Sequence, residues 1–221
     1  MVVSKHVFWQ AFIFTVVIFI IGLIAGFFLE VSRSNNIEAA VARSETSLLD
    51  EQLRNRAIGT LNLSCDDAIN STFSFADAVY YEARQLEQYE SSSTFTDSLT
   101  ALHKRYDLLR TMLWFEGVDL RTKCKGSFHT IVYLYDYDTD DVSIRAKQLF
   151  FSRILSDLKN NNPDSVLLIP IARNLGLESV RLASDKFEVK SSPVIIVDEK
   201  IKIYEIDSFD EFEKLVLQSN N

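Results

Sequence analysis

The chain has 221 residues, of which 47% are hydrophobic and 24% charged, a composition typical of a globular protein of one or two domains. Its formal net charge is −8, and because Lys5 is the one charged side chain in residues 1–29, residues 30–221 carry −9. A body this acidic argues against a nucleic-acid binder, which needs a basic face to displace counterions from phosphates. Two cysteines exclude a disulfide-rich scaffold and a zinc site of four thiolates.

The first predicted element is an apolar segment at residues 7–29, in which Gln10 and Thr15 are the polar side chains. As a helix this segment would extend about 34 Å, enough to cross a hydrocarbon core of about 30 Å. A cleaved signal peptide would have a shorter apolar region followed by small residues, whereas this segment ends at Leu29 after two phenylalanines. The sequence therefore predicts a transmembrane anchor that follows a short N-terminus, residues 1–6.

The residues around the anchor indicate its orientation. Lys5 and the α-amino group precede it, which by the positive-inside rule favours a cytoplasmic N-terminus and an exoplasmic body, residues 30–221. Within the anchor, Gly22 and Gly26 form a G-x-x-x-G step that would let two copies pack as a homodimer. The alternative is that both are ordinary small residues of a membrane helix.

Residues 30–125 are predicted to form a helical stalk or hairpin. Apolar side chains recur at steps of three and four over residues 66–90 and again over residues 96–121. In an antiparallel hairpin with arms of such similar length, Cys65 and Cys124 become neighbours at the base, where a disulfide would join the two helices. The alternative is a pair of unrelated buried thiols, as in many cytosolic proteins.

Two tripeptides near Cys65 bear on the location of the body. Asn62 and Asn70 each begin an N-x-[ST] sequence, the acceptor pattern for N-glycosylation. Such tripeptides also occur by chance, so each is a weak signal taken alone. Together with the predicted disulfide they favour an extracellular or exoplasmic body.

The C-terminal domain, residues 127–221, has a different periodicity. Continuous β-prone runs, amphipathic stretches and a hairpin turn at Glu199 and Lys200 predict the order β-α-β-α-β-β-α. The first helix of this domain is predicted to be amphipathic, with an apolar face formed by five residues: Ile144, Leu149, Phe150, Ile154 and Leu158. The fold class of the whole chain is therefore α+β, with an α/β domain after a transmembrane helix and a helical hairpin.

This order of elements resembles the thioredoxin fold over about residues 128–220. The resemblance is sharpest at residues 182–198, where a helix is followed by V-x-S-x-P and an apolar strand. It implies that Pro193 is the cis-proline of that family and that the backbone at Ser192 pairs with an extended peptide. By the same resemblance, the peptide-binding groove is lined by four residues: Ser192, Pro193, Tyr135 and Tyr137.

The chain departs from the thioredoxin pattern at the active site. The family places C-x-x-C between the first strand and the next helix, and this chain has a degenerate loop there: Asp138, Thr139, Asp140 and Asp141. Without a thiolate at that helix N-terminus, thiol–disulfide exchange has no nucleophile at this position. The sequence accordingly predicts neither a catalytic residue nor a cofactor in this domain.

The acidic loop permits other interpretations. Asp136 and Asp138 resemble the haloacid-dehalogenase phosphatase signature, although Asp140 stands where that signature has Thr or Val. The alternating carboxylates also suggest a calcium loop, but an EF-hand needs Gly at its sixth position, where this chain has Asp141. We favour carboxylates that cap the following helix. No metal site is predicted, since the histidines lie in three separate regions, with His129 interpreted as a linker residue: His6, His103 and His129.

These features lead to one main functional prediction and one alternative. The main prediction is a single-pass membrane protein that presents a redox-inactive thioredoxin-like domain outside the cytoplasm in an accessory or scaffold role. Its partner would be a protein, either a subunit of a membrane complex or a secreted polypeptide, bound as a peptide or a subunit. The alternative is a membrane-anchored thiol–disulfide oxidoreductase that uses Cys65 and Cys124.

Overall fold

The computed structural model describes residues 4–61, 63–90, 96–125 and 127–218, and the chain divides into two compact units, Met1–Arg43 and Ser44–Asn221. The helices are α1 (Ser4–Thr60), α2 (Cys65–Glu90), α3 (Thr96–Lys123), α4 (Val142–Asn161), α5 (Glu178–Lys186) and α6 (Phe209–Gln218). The strands are β1 (His129–Tyr135), β2 (Val166–Ala172), β3 (Val194–Val197) and β4 (Ile201–Ile203). The fold is therefore mixed α+β, as predicted.

The first unit contains the predicted anchor. Val7–Leu29 is helical throughout, has a mean hydropathy of 2.9 and leaves its large apolar side chains exposed. It is long and apolar enough to cross a membrane. Gly22 and Gly26 lie within it, with open space where a Cβ atom would be.

The end of α1, Ser44–Thr60, belongs to the second unit and packs with the α2–α3 hairpin. Arg105 of α3 forms an ion pair with Glu45 at 2.7 Å, and Arg54 forms salt bridges with Glu51 and with Glu116 of α3. The hairpin itself is closed by a disulfide between Cys65 and Cys124, whose Cα atoms are 5.7 Å apart. The disulfide is thus confirmed.

The second unit is organised around a four-stranded sheet in the order β2-β1-β3-β4. β1 pairs in parallel with β2, as a strand–helix–strand crossover requires, while β3 is antiparallel to β1 and β4 to β3. β1 lies inside the sheet, and its continuous apolar sequence is buried on both faces. The Ser192–Pro193 peptide bond that precedes β3 is cis.

Side chains of β1 alternate between two hydrophobic clusters. Val132 and Leu134 pack with Trp114 of α3 and with α5 on one face of the sheet. Ile131 and Tyr133 pack with α4 and α6 on the other face. Each face of the sheet is therefore covered by helices, and the β2 edge lies beside the hairpin.

The predicted apolar face of α4 is partly wrong. Leu149 is 69% exposed and Phe150 46% exposed, whereas Phe151 and Leu155 are buried against the sheet. Phe151 begins a set of buried residues separated by three, one and three positions, which keeps one helix face toward the sheet: Phe151, Ile154, Leu155 and Leu158. Leu149 precedes that set by two positions and therefore points away from the sheet.

Candidate functional site

The four predicted groove residues do not form a single groove: two lie beside the cis peptide bond before β3, and two line a separate cleft. Ser192 donates a hydrogen bond from Oγ to Oδ1 of Asp136 at 2.8 Å, and Pro193 is buried. Tyr135 and Tyr137, on either side of Asp136, are half-buried and line a separate cleft. Asp136 therefore contacts the segment before β3, while its two tyrosine neighbours contribute to the cleft.

The acidic loop caps α4. Asp141 is the N-cap residue, and its Oδ1 accepts hydrogen bonds from the backbone N–H groups of Ser143 at 2.8 Å and Ile144 at 3.1 Å. Thr139 accepts from Asp141 N at 3.3 Å, while Asp138 and Asp140 are exposed. The capping interpretation is thus confirmed for Asp141. Among the described residues, no cluster of three His, Cys, Asp or Glu side chains is suited to hold a metal ion.

The interpretation of His129 as a linker residue is wrong. His129 is the first residue of β1, it is 6% exposed, and its Nδ1 lies 2.8 Å from Oδ2 of Asp198. Asp198 also accepts from the backbone N–H of Thr130 at 3.0 Å and forms a salt bridge with Arg121 at 3.2 Å. These contacts hold the β3–β4 turn against β1 and α3, and His129 contributes to them through its contact with Asp198.

The second unit contains a cleft of about 740 Å³ between α2, α3, the edge of β2 and α4, here called the hairpin cleft. Its volume falls in the range of ligand-binding sites. Its lining includes four tyrosines, four cationic side chains, one histidine and two residues of the β2 edge: Tyr80, Tyr133, Tyr135, Tyr137, Arg84, Arg110, Arg145, Lys159, His103, Leu168 and Pro170.

Positive charge predominates in the hairpin cleft. Among the described lining residues Asp77 is the one carboxylate, and it is 3.8 Å from Nζ of Lys159. Lys159 also donates to the carbonyl oxygens of Pro163 and Val166, at 2.7 and 3.1 Å, and burial lowers its pKa. Arg145 donates to a backbone carbonyl of the acidic loop at 2.6 Å. These two cations are therefore held in place chiefly by neutral oxygens.

A third cation of the hairpin cleft, Arg110, is neutralised from inside the protein. Its Nη1 is 3.2 Å from Oδ1 of Asp107, a fully buried carboxylate of α3. Burial raises the pKa of Asp107 to about 6, although Arg110 and the backbone N–H of Ala172 oppose the shift. Asp107 thus fixes Arg110 and the end of β2 together.

The tyrosines form an aromatic wall. The rings of Tyr133 and Tyr135 stack with centroids 5.5 Å apart, and the ring of Tyr137 lies 4.3 Å from that of His103. Tyr133 donates from its hydroxyl to the backbone oxygen of Gln148 at 3.2 Å, and burial raises its pKa. The phenol group of Tyr133 is therefore protonated at neutral pH, while the half-buried Tyr135 and Tyr137 offer ring surface to a ligand.

The hydrogen-bonding pattern of β2 determines which of its backbone groups face the cleft. His129 N donates to Ser165 O and Arg173 N donates to Tyr135 O, both at 2.8 Å. Because bonding alternates along a parallel pair, the odd-numbered residues of β2 bond to β1 and the even-numbered ones face the free edge. Leu168 therefore directs both its N–H and C=O groups outward, as Pro170 does its C=O group.

The two ends of the β2 edge are already satisfied. Val166 accepts from Lys159, and Ala172 donates to Oδ2 of Asp107 at 3.2 Å. The outward groups of Leu168 and Pro170 have no hydrogen-bond partner among the described residues and lie in the lining of the cleft. The middle of the edge is therefore available to a ligand with backbone-like donors and acceptors.

Sequence reasoning missed this cleft because its residues come from five separate elements and the loop after β1. One side of the cleft could be recognised in the sequence, since α4 carries a polar stripe at steps of three and four beside its buried stripe: Arg145, Gln148, Ser152, Ser156 and Lys159.

Of the two predicted glycosylation positions, Asn62 lies outside the described residues, and Asn70 is exposed on α2. No family model, curated protein or solved structure matches this chain.

Proposed function

We propose that this chain is a single-pass membrane protein that presents a thioredoxin-like domain lacking C-x-x-C outside the cytoplasm and uses it to bind a peptide or a partner subunit. The observation that carries this proposal is the hairpin cleft. A cleft of about 740 Å³ lined by cations and tyrosines, in a chain of net charge −8, has the size and the distinct chemistry of a binding site.

The assignment to a thioredoxin-like domain is supported by topology. The sheet order β2-β1-β3-β4, with a parallel β1–β2 pair followed by two antiparallel strands, agrees with the predicted order of elements. The cis bond between Ser192 and Pro193 lies where the resemblance implies it. In place of the C-x-x-C motif, the chain has an acidic loop that caps α4.

The exoplasmic location is supported by three features of different kinds. Val7–Leu29 can cross a membrane, Lys5 precedes it, and the body contains the Cys65–Cys124 disulfide, which persists in oxidising compartments. Asn70 is exposed and accessible to glycosylation. A glycosidase-sensitive gel shift that disappears in Asn70→Gln would support this location, whereas free labelling of both thiols from the cytoplasmic side would contradict it.

One observation supports the alternative function, a thiol–disulfide oxidoreductase. Cys65 is exposed and Cys124 half-buried, so an external thiolate can reach the disulfide. Thiol labelling over a series of redox buffers separates the two functions. A midpoint below about −300 mV indicates a structural disulfide, and one near about −200 mV indicates an exchanging pair.

The binding function can be tested with the full-length chain in nanodiscs, labelled and applied to an array of random heptapeptides. Ala76→Trp places a large ring in the hairpin cleft, whereas Ala78→Trp adds the same ring to an exposed position of α2 outside its lining. We expect the wild type and Ala78→Trp to retain a common set of peptides and Ala76→Trp to lose it.

A third variant separates the cleft from the groove implied by the thioredoxin resemblance. Ser192→Arg adds bulk beside the cis bond but outside the lining of the hairpin cleft. Loss of binding in Ser192→Arg with retention in Ala76→Trp would move the site to the groove beside Pro193. An array on which the wild type retains no peptide would contradict the binding function itself.

A further inference from the structure

We propose that the hairpin cleft binds an extended acidic peptide segment of about six residues from a partner protein. This inference rests on the proposed function and specifies its ligand. It depends on three features of the cleft: the separation of its cations, the free backbone groups of β2, and the charge of the rest of the chain.

The first feature is the distance between the cations at the two ends of α4. Arg145 and Lys159 are 14 residues apart in one helix, which corresponds to about 21 Å along its axis. Their charged ends do not converge, because Arg145 bonds to Thr139 O before the helix and Lys159 to Pro163 O after it. A single compact anion cannot contact both, so a ligand that uses both must be elongated.

The length of such a ligand follows from strand geometry. An extended chain rises about 3.3 Å per residue, so about six residues span the distance between Arg145 and Lys159. The lining also includes Arg84 of α2, whose guanidinium is 5.8 Å from the ring centre of Tyr80 and has no carboxylate partner among the described residues. Carboxylates placed along the segment would therefore meet cations from both sides of the cleft.

The second feature is the middle of the β2 edge. The N–H and C=O groups of Leu168 and the C=O group of Pro170 face the cleft without a partner among the described residues. A peptide offers one donor and one acceptor per residue to such groups, which a compact polyanion does not. Because Pro170 has no N–H, a long strand ladder cannot form here, and this restricts pairing to a short stretch.

The third feature is electrostatic contrast. Residues 30–221 carry a net charge of −9, so an acidic segment is repelled by most of the body and attracted at the cleft. Asp77 is 69% exposed and 3.8 Å from Lys159, so it can be turned toward solvent when another carboxylate arrives. The half-buried ring of Tyr135, which stacks on the buried ring of Tyr133, provides a surface for apolar side chains between the acidic ones.

The test uses the same array and full-length protein in nanodiscs of uncharged lipid. We expect Asp and Glu to be enriched among the retained heptapeptides. By fluorescence anisotropy, the best acidic peptide should bind at least tenfold more tightly than its counterpart with Gln in place of every acid. An inorganic tripolyphosphate competitor should fail to displace it at equal charge concentration.

A matched pair of variants assigns the effect to the cleft. Arg145→Glu reverses a lining charge, and Arg153→Glu makes the same change at an exposed position of α4 outside the lining. We expect Arg145→Glu to weaken the acidic peptide at least tenfold while leaving its Gln counterpart unchanged, and Arg153→Glu to change neither by more than twofold.

The outcomes separate this inference from the proposed function. Retained peptides without enrichment in acids, or equal effects of Arg145→Glu and Arg153→Glu, would overturn the acidic ligand while the binding function stands. Displacement by tripolyphosphate at equal charge concentration would overturn the peptide in favour of a small anion. An empty array would overturn both.

Discussion

Glu51→Gln tests how the end of α1 is held against the α2–α3 hairpin. Glu51 is fully buried and contacts Arg54 through both carboxylate oxygens, at 2.6 and 2.7 Å. Arg54 also binds Glu116, which is 3% exposed and accepts a hydrogen bond from the hydroxyl of Thr72. One guanidinium therefore faces two buried carboxylates, and the cluster has an excess of negative charge when both are ionised.

The excess charge makes stability dependent on pH. Burial raises the pKa of Glu51 from 4.5 to about 7, with Glu116 adding to the effect and Arg54 opposing it. Between these two values the folded state binds more protons than the unfolded state, so the free energy of unfolding falls as pH rises through this window. The full loss, reached above pH 7, is about 3 kcal/mol. Glutamine keeps the shape of the side chain but cannot ionise, so Glu51→Gln removes this dependence.

The assay is urea unfolding of the full-length chain in detergent micelles from pH 4.5 to pH 8. The fluorescence of Trp114 reports on unfolding, because this residue is fully buried and its indole Nε1 donates to Glu199 Oε1 at 3.1 Å. A Trp9→Phe background removes the other tryptophan of the chain. The measured quantity is the difference in unfolding free energy between this background and the same background carrying Glu51→Gln, in which shared groups such as Asp107 cancel.

We expect this difference to change by about 3 kcal/mol across the window, with the chain that retains Glu51 losing stability relative to the variant as pH rises. A difference that is constant with pH would refute the reasoning, since it would mean that Glu51 titrates alike in the folded and unfolded chain. A difference of opposite slope would mean that Arg54 keeps Glu51 ionised despite its burial.

Three further substitutions test how the second unit is held together. Replacing Cys65 and Cys124 by Ala should lower the free energy of unfolding by about 4 kcal/mol, because the disulfide closes a loop with a sequence separation of 59; an unchanged urea midpoint would contradict this. Gly117→Ala should cost about 1–3 kcal/mol, since its Cβ would lie 3.0 and 3.1 Å from side chains of β1 and β2. Gly59→Ala has open space and serves as control, with an expected gain below about 1 kcal/mol in the same assay. Arg121→Met should cost about 3–5 kcal/mol by leaving two carboxylates of the β3–β4 turn without their cation, and a loss below about 1 kcal/mol would show that the turn is held by other contacts.

The elements of this chain were predictable where a local pattern determines them. The membrane-length helix follows from composition, and α3 follows from the helical period over residues 96–121, where the apolar side chains at steps of three and four are buried: Leu99, Leu102, Tyr106, Leu109 and Leu113. The pairing of Cys65 with Cys124 follows from the matched arms of the hairpin. The cap of α6 was also readable, since Ser208 accepts from the backbone N–H of Glu211 at 3.3 Å.

What could not be predicted depends on contacts between distant parts of the chain. Arg54 and Glu116 are 62 residues apart, and nothing local to either residue indicates that they meet in the interior. His129 and Asp198 are 69 residues apart, and their contact follows from the pairing of β1 with β3. The hairpin cleft is of the same kind, because its cations come from three helices whose arrangement around β2 is set by tertiary packing.

The hairpin cleft and the protection of the sheet edge have a common physical origin. An edge strand with free N–H and C=O groups is a template for unwanted pairing, and β2 limits it with Pro170, with Lys159 bonded to Val166 and with Asp107 bonded to Ala172. Lys159 and Asp107 act at the two ends of the strand, whereas Pro170 removes one N–H donor from its middle, where the outward groups of Leu168 stay open. Lys159 satisfies one end directly, and Asp107 at the other end also pairs with Arg110, so the protection of the edge places two cations in the lining of the cleft, where the proposed acidic segment would bind.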